Sequence, residues 1–182
     1  MNVLVVVDMQ NDFIDGALAA DGGTDIVDKV IKRIKESKGE LVLFTRDTHS
    51  NDYLDTPEGK KLPVVHCIKD THGWQIQKDI FSAWRNNSDT ISLEDVKNNT
   101  FDKPVFGSVD LVSFLKSQEN KITQIELLGI CTDICVISNA IMIKNTLPNT
   151  TIIVNSNCCA GVTKESHIKA LDVMKMCQID IL

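Results

Sequence analysis

The feature that most constrains this chain is the alternation of short, β-rich apolar runs with stretches whose apolar residues recur at helical spacing. In MNVLVVVDMQNDF, Val3 to Val7 form an unbroken apolar run, the pattern of a strand covered on both faces. Thr24 then stands where it can cap a helix carrying Ile26, Val27, Val30, Ile31 and Ile34, with Gly39 to close it. ELVLFTRD reads as a second buried strand, Leu41 to Thr45. From Asp47 to about Gly73 the pattern turns irregular and rich in Asp, His, Thr and Pro, and segments of that length inside a compact domain are often functional. WQIQKDIFSAW suits a short helix, and NTFDKPVF is extended because Pro104 keeps Lys103 out of the helical region. Ser108 is placed to cap a helix with Val109, Val112, Phe114 and Leu115. ITQIELLG, TTIIVNS and QIDIL follow as strands, separated by the helical patterns CTDICVISNAIMIKN and KESHIKALDVMKMC. Strands alternating with helices predict an α/β fold: a three-layer αβα arrangement around a mainly parallel sheet of about six strands.

At 182 residues, residues 1–182 are expected to form a single domain. A formal charge of -6 disfavours nucleic acid and anionic lipid, which attract basic surfaces. No apolar stretch is long enough to span a membrane, and the first run lacks the basic flank of a signal peptide. A cytoplasmic location is expected. The six cysteines, with Cys158 and Cys159 adjacent, read as reduced thiols in a chain too large to need disulfide staples. Neither a dinucleotide glycine fingerprint nor a phosphate loop follows any strand.

Parallel sheets present functional groups at the carboxyl ends of their strands. Asp8 ends the first strand, Asp47 and His49 follow the second, Lys103 lies in an extended stretch, and GICTDIC follows the strand ending at Leu128. Cys135 is expected near a helix start, where backbone dipoles favour a thiolate and lower its pKa. Each residue alone has a structural reading: an acid opening a turn, a solvated lysine, a cysteine filling the core. Together, an acid, a cation and a thiol at one crevice make a kit for nucleophilic catalysis. Lys103 would stabilise the thiolate, Asp8 would carry its proton, and backbone N-H groups would hold an oxyanion.

In that order VVVDMQNDF, FDKPVFGS and GICTDICV resemble the motifs of the isochorismatase-like cysteine hydrolases, and within them the nicotinamidases, over essentially the whole chain. The resemblance implies an isochorismatase-like, Rossmann-like fold, with Asp8 as catalytic acid, Lys103 as catalytic lysine and Cys135, in preference to Cys131, as nucleophile. It also implies a cis peptide bond between Ile130 and Cys131, so that the backbone N-H groups of Cys131 and Cys135 point at the oxyanion. Ile130 and Phe13 would then border the substrate pocket. Members are often dimers or larger, so a homo-oligomer is expected.

Asp47 and His49 are two apart, on one face of an extended segment, and His66 follows in PVVHC. Two imidazoles and a carboxylate suit a divalent metal such as zinc, iron or manganese and leave positions open. The resemblance adds Glu58 as a further ligand, favours zinc, and implies a metal that receives the pyridine nitrogen of nicotinamide. Nicotinamidases commonly carry an aromatic residue three positions before the last metal histidine, where this chain has Pro63. Phe13, with Trp74 or Trp84, would supply the faces of a ring sandwich instead. His72 and His167 are expected at the surface or at helix caps, and Cys67, Cys158, Cys159 and Cys177 as buried filler.

The expected activity is therefore a metal-containing cysteine amidase that converts nicotinamide, or a close pyridine carboxamide, to the acid and ammonia, as in NAD salvage. Alternatives are a hydrolase of another small amide or ureido compound, or a domain of the same fold kept for binding or assembly. A redox pair of Cys131 and Cys135 is a further one, although C-x-x-x-C is not the usual dithiol spacing.

Overall fold

The structure is a computed structural model and describes residues 1–87 and 93–182. In chain order its elements are β1 (Asn2–Val7), α1 (Asn11–Ile14), α2 (Val27–Glu36), β2 (Leu41–Asp47), α3 (Pro57–Lys61), α4 (Lys78–Asn87), α5 (Leu93–Asn99), β3 (Thr100–Lys103), α6 (Val109–Ser117), β4 (Gln124–Ile130), α7 (Ile137–Thr146), β5 (Thr151–Ala160), α8 (Lys164–Met176) and β6 (Asp180–Ile181). The strands form one six-stranded sheet in the order β3-β2-β1-β4-β5-β6, and every neighbouring pair is parallel.

The chain order reverses direction at β1, so right-handed crossovers put the helices of the two halves on opposite faces. Accordingly α2 packs with α4, whereas α7 packs with both α6 and α8. Val3 to Val7 have almost no exposed surface, as expected of strands sealed on both sides. A charged residue also lies within β4. Glu126 of β4 is 5% exposed, and it is answered by Arg33 of α2, whose Nη2 lies 2.8 Å away, and by Asn155 of β5.

Register decides what meets at the carboxyl edge. Val7 of β1 lies level with Thr45 of β2 and with Gly129 of β4, and Asp47 of β2 lies level with Lys103 of β3. Gly129 has φ +125, and a Cβ there would stand 2.0 Å from the Val7 carbonyl oxygen. Only glycine lets the two central strands approach so closely at their ends.

Some local expectations are corrected. Thr24 does not cap α2; Thr24–Ile26 form a 3-10 turn that leads into it. The final strand is confined to Asp180–Ile181, and Cys177 is exposed rather than buried. The irregular stretch after β2 contains a 3-10 turn at Tyr53–Asp55 and α3, whose start is set by Thr56 accepting from the Gly59 amide and by Pro57 in the first turn. Ser108 does cap α6, accepting from the Leu111 amide. No helix among the described residues is long and apolar enough to cross a membrane.

Candidate active site

Asp8 follows directly on β1 and is fully buried, with φ +46. Its backbone conformation is rare for a non-glycine residue and turns the carboxylate into the crevice at the point where the strand order reverses. Thr45 donates its hydroxyl to Asp8 Oδ1 at 2.6 Å. Lys103 Nζ lies 2.6 Å from Asp8 Oδ2, 3.5 Å from Asp47 Oδ1 and 3.5 Å from Cys135 Sγ. The lysine is 1% exposed, so three chain-distant groups converge on one buried cation.

The charges shift one another. Burial pushes the Asp8 carboxyl above its ordinary range and Asp47 adds to this, while Lys103 and the Thr45 hydroxyl pull it down. Burial would depress Lys103, yet Asp8, the Cys135 thiol and Asp47 hold it firmly protonated. For Cys135 the structure departs from expectation. The cysteine sits in a π-helical turn, Thr132–Val136, at the start of α7, but burial and then Asp8 push its pKa well above the usual value, with only Lys103 working to lower it. The short turn's dipole is outweighed by desolvation. Burial and Asp8 thus favour the neutral thiol form of Cys135.

The peptide bond between Ile130 and Cys131 is cis. Ile130 is fully buried and is not among the residues lining the cavity, so its side chain does not border the pocket as expected.

On the β2 side, Asp47, His49 and His66 bring one ligand atom each within 4.8 Å of one another. Asp47 Oδ2 is 3.0 Å from His49 Nε2 and 3.3 Å from His66 Nε2. His66 Nδ1 donates to the Val64 carbonyl at 2.8 Å, which leaves its Nε2 lone pair free to coordinate. Asp47 Oδ1 is buried and faces Lys103 Nζ at 3.5 Å, so it is Oδ2 that is turned to the two histidines. Burial works to raise Asp47, but the two histidines and Lys103 hold it well below the usual carboxylate range. A deprotonated carboxylate and two imidazoles with ligand atoms this close together fit a divalent cation. Glu58, from α3, stands at the edge of this set, with Oε1 3.8 Å from His49 Nε2. The ligand backbone is braced by Gln10, whose side chain both accepts from the Asp47 amide and donates to its carbonyl.

Both groups open into one cavity of about 400 Å³. Asp47, Glu58, His66, Cys131 and Cys135 line it with polar groups, and Phe13, Leu62, Phe106, Ile134 and Val162 supply much of its apolar wall. A wider surface groove of about 920 Å³ along α2 and α4 holds none of the acid, lysine, thiol or metal-cluster residues. Phe13 lines the cavity and packs against His66 at 5.6 Å between ring centroids. The tryptophans do not line the cavity. Trp84 packs edge-on against Phe44 at 5.1 Å in the core, and Trp74 is held under the Arg46 guanidinium at 3.7 Å while donating to Thr48. His167 meets Thr132 Oγ1 at 2.8 Å, so it touches the cysteine turn instead of being a surface or capping residue.

Sequence reasoning missed Thr45, Phe106, Leu62 and Gly129. Thr45 carried a signal, being a polar residue within an apolar strand, two positions before Asp47.

Comparison with known proteins agrees with this geometry. The chain is 28% identical over 173 residues to an isochorismatase family protein, PncA, of Bacillus subtilis, covering 92% of this chain and 91% of that one. The solved nicotinamidase/pyrazinamidase PncA from Bacillus subtilis superposes with a TM-score of 0.82 at 26% identity, covering 99% of this chain and 98% of that chain. A pyrazinamidase of Pyrococcus horikoshii in complex with zinc shares the fold, with a TM-score of 0.79 at 24% identity and coverage of 100% and 98%. The isochorismatase domain model matches residues 2–182, nearly the whole of a sheet whose carboxyl edge carries an acid, a lysine, a thiol and a metal cluster; the chain belongs to the isochorismatase family.

Proposed function

We propose that this single domain is a metal-dependent cysteine amidase that hydrolyses nicotinamide, or a close pyridine carboxamide, to the acid and ammonia. The observation that carries this reading is Lys103, whose ammonium touches Asp8, Cys135 and the metal-cluster carboxylate Asp47 at once. Solved relatives named nicotinamidase/pyrazinamidase support the substrate class.

The Asp8 carboxylate takes the thiol proton as Cys135 Sγ attacks the amide carbon, and Lys103 balances the sulfur's developing charge. Coupling the two events suits a thiol whose pKa is raised, since no free thiolate need accumulate. The oxyanion points to the backbone N-H groups of Cys131 and Cys135. Asp8 then gives its proton to the departing nitrogen, releasing ammonia and leaving a thioester. It next deprotonates a water, which attacks that thioester, releases the acid and regenerates the thiol. Its raised pKa suits a carboxyl that both accepts and donates.

Asp47, His49 and His66 would hold the metal, with Glu58 as a further carboxylate beside them. When bound, the metal supplies a Lewis-acid anchor for a ring nitrogen. Zinc is favoured by the donor set, and the Pyrococcus horikoshii protein is solved with zinc. Phe13 and Phe106 would flank the ring. We also propose that the chain self-associates through an exposed apolar face that includes Val105 and Val109, 52% and 65% exposed, and that it works in the cytoplasm, where its six unpaired cysteines stay reduced.

The test is ammonia release from nicotinamide and from a panel of aliphatic and ureido amides, before and after chelation. Turnover should prefer the pyridine carboxamides, depend on zinc, and disappear in Cys135→Ala and Asp8→Asn. Undiminished turnover in the cysteine variant would sink the mechanism, and preference for a ureido compound would transfer the site to that substrate class.

A further inference from the structure

Asn139 lies in α7, one turn beyond Cys135, and is fully buried. Its side chain is completely used. Oδ1 accepts from the Ser108 amide at 2.9 Å, and Nδ2 donates to the Cys135 carbonyl at 2.8 Å and to the Phe106 carbonyl at 3.2 Å. Buried polar side chains survive when every donor and acceptor is matched, and such a cluster fixes the backbone groups it joins. Here the joined groups come from two different connections. One is the turn that carries Cys135; the other runs from Lys103 at the end of β3 to Ser108 at the cap of α6, with the cavity-lining Phe106 between them. That second connection also lies flat on α7: a Cβ on Gly107 would stand 2.4 Å from Met142 Sδ.

We propose that Asn139 is a positioning residue with two separable arms. One arm, through the Cys135 carbonyl, sets the approach of the sulfur to the substrate. The other, through Phe106 and Ser108, sets how far the aromatic wall stands from that sulfur, and so which acyl groups the cavity holds. The proposal rests on Cys135 being the nucleophile of the amidase reading.

The arms can be cut one at a time. A threonine hydroxyl on a helix can donate to the carbonyl four residues back, so Asn139→Thr keeps the Cys135 bond and drops the other two. Its kcat for nicotinamide should stay within about threefold of wild type while KM rises about tenfold. Asn139→Asp keeps the acceptor for Ser108 but loses both donors, and its carboxylate faces two carbonyls one turn from the thiol. Its kcat should fall about a hundredfold, with the pH-rate profile displaced to higher pH. Adding Asn139→Thr to Phe106→Ala should raise KM no further, because the wall that the arm holds is already gone.

Active sites are counted by iodoacetamide labelling of Cys135, and pyridine-3-carboxylate binding is read from protection against that label. If both Asn139 variants keep wild-type kcat per labelled thiol and wild-type KM, and lose only melting temperature, the residue is merely structural and the proposal fails. A threonine variant that loses kcat and spares KM also overturns it. Should the aspartate variant not fold, the threonine variant and the Phe106→Ala pair decide alone. A wild-type protein that hydrolyses no amide overturns the amidase reading instead, while labelling and protection still test the two arms.

Discussion

Replacing Lys103 by methionine removes a charge from a site that is 1% exposed while nearly preserving its volume. Asp8 and Asp47 then face each other without the ammonium that stood 2.6 Å and 3.5 Å from them. Asp8 can relieve this only by binding a proton. Holding a carboxyl of ordinary pKa, about 3.9, protonated at pH 7 costs about 4 kcal/mol, which caps the loss. Wild-type Asp8 already sits above that range because burial outweighs Lys103, so part of the cost is present beforehand. About 2–3 kcal/mol of lost stability at pH 7 is the expected difference, within the range for breaking a buried pair. The sign of its pH dependence is fixed. In the variant the folded state holds the Asp8 proton more tightly than the wild-type folded state does, so the deficit relative to wild type grows as pH rises through the raised wild-type pKa and fades below it. Urea denaturation of both proteins in chelator at pH 5, 6, 7 and 8 reads the gap directly. The acid limb of ammonia release should also move to higher pH. A gap that is constant across this range, or widest at pH 5, would refute the account of a lysine acting on Asp8.

Gly129→Ala should cost about 3–5 kcal/mol in urea denaturation, combining a φ that non-glycine residues rarely adopt with a Cβ driven into the Val7 carbonyl; an alanine variant of wild-type stability would mean that β1 and β4 are not pinned together there. For self-association, Val109→Asp places a charge on the exposed apolar face and should shift sedimentation of the protein to the monomer without loss of helix content. A wild-type protein that sediments as a monomer at micromolar concentration would remove the proposal.

The parts legible in the sequence were those written locally. An apolar run ending in Asp8, a second ending in Arg46 and Asp47, and a proline directly after Lys103 each announce a strand and the group at its tip, because a strand delivers the residue that follows it to a known edge. What escaped depends on contacts between distant segments. The raised pKa of Cys135 arises from burial and from Asp8, more than a hundred residues away, whereas local reasoning saw only a helix start. Phe106, Leu62 and Val162 reach the cavity from three separate connections, and neither periodicity nor spacing marks them as neighbours. The tryptophans misled for the converse reason: a large aromatic suits a ligand wall and a core equally well, and Trp84 was claimed by Phe44 and Phe81.

The shared level of Val7, Thr45 and Gly129, with Asp47 opposite Lys103 on the neighbouring pair, also determines where the chain is free to change length. Adding or deleting one residue inside β1, β2, β3 or β4 turns every following side chain to the opposite face and carries the acid, the lysine or the cysteine turn away from the others. The connections that feed the amino ends of the strands bear no such restriction. Residues 118–123 and 147–150 could lengthen in a relative, or accept an inserted tag, while the chemistry at the far rim stays in register.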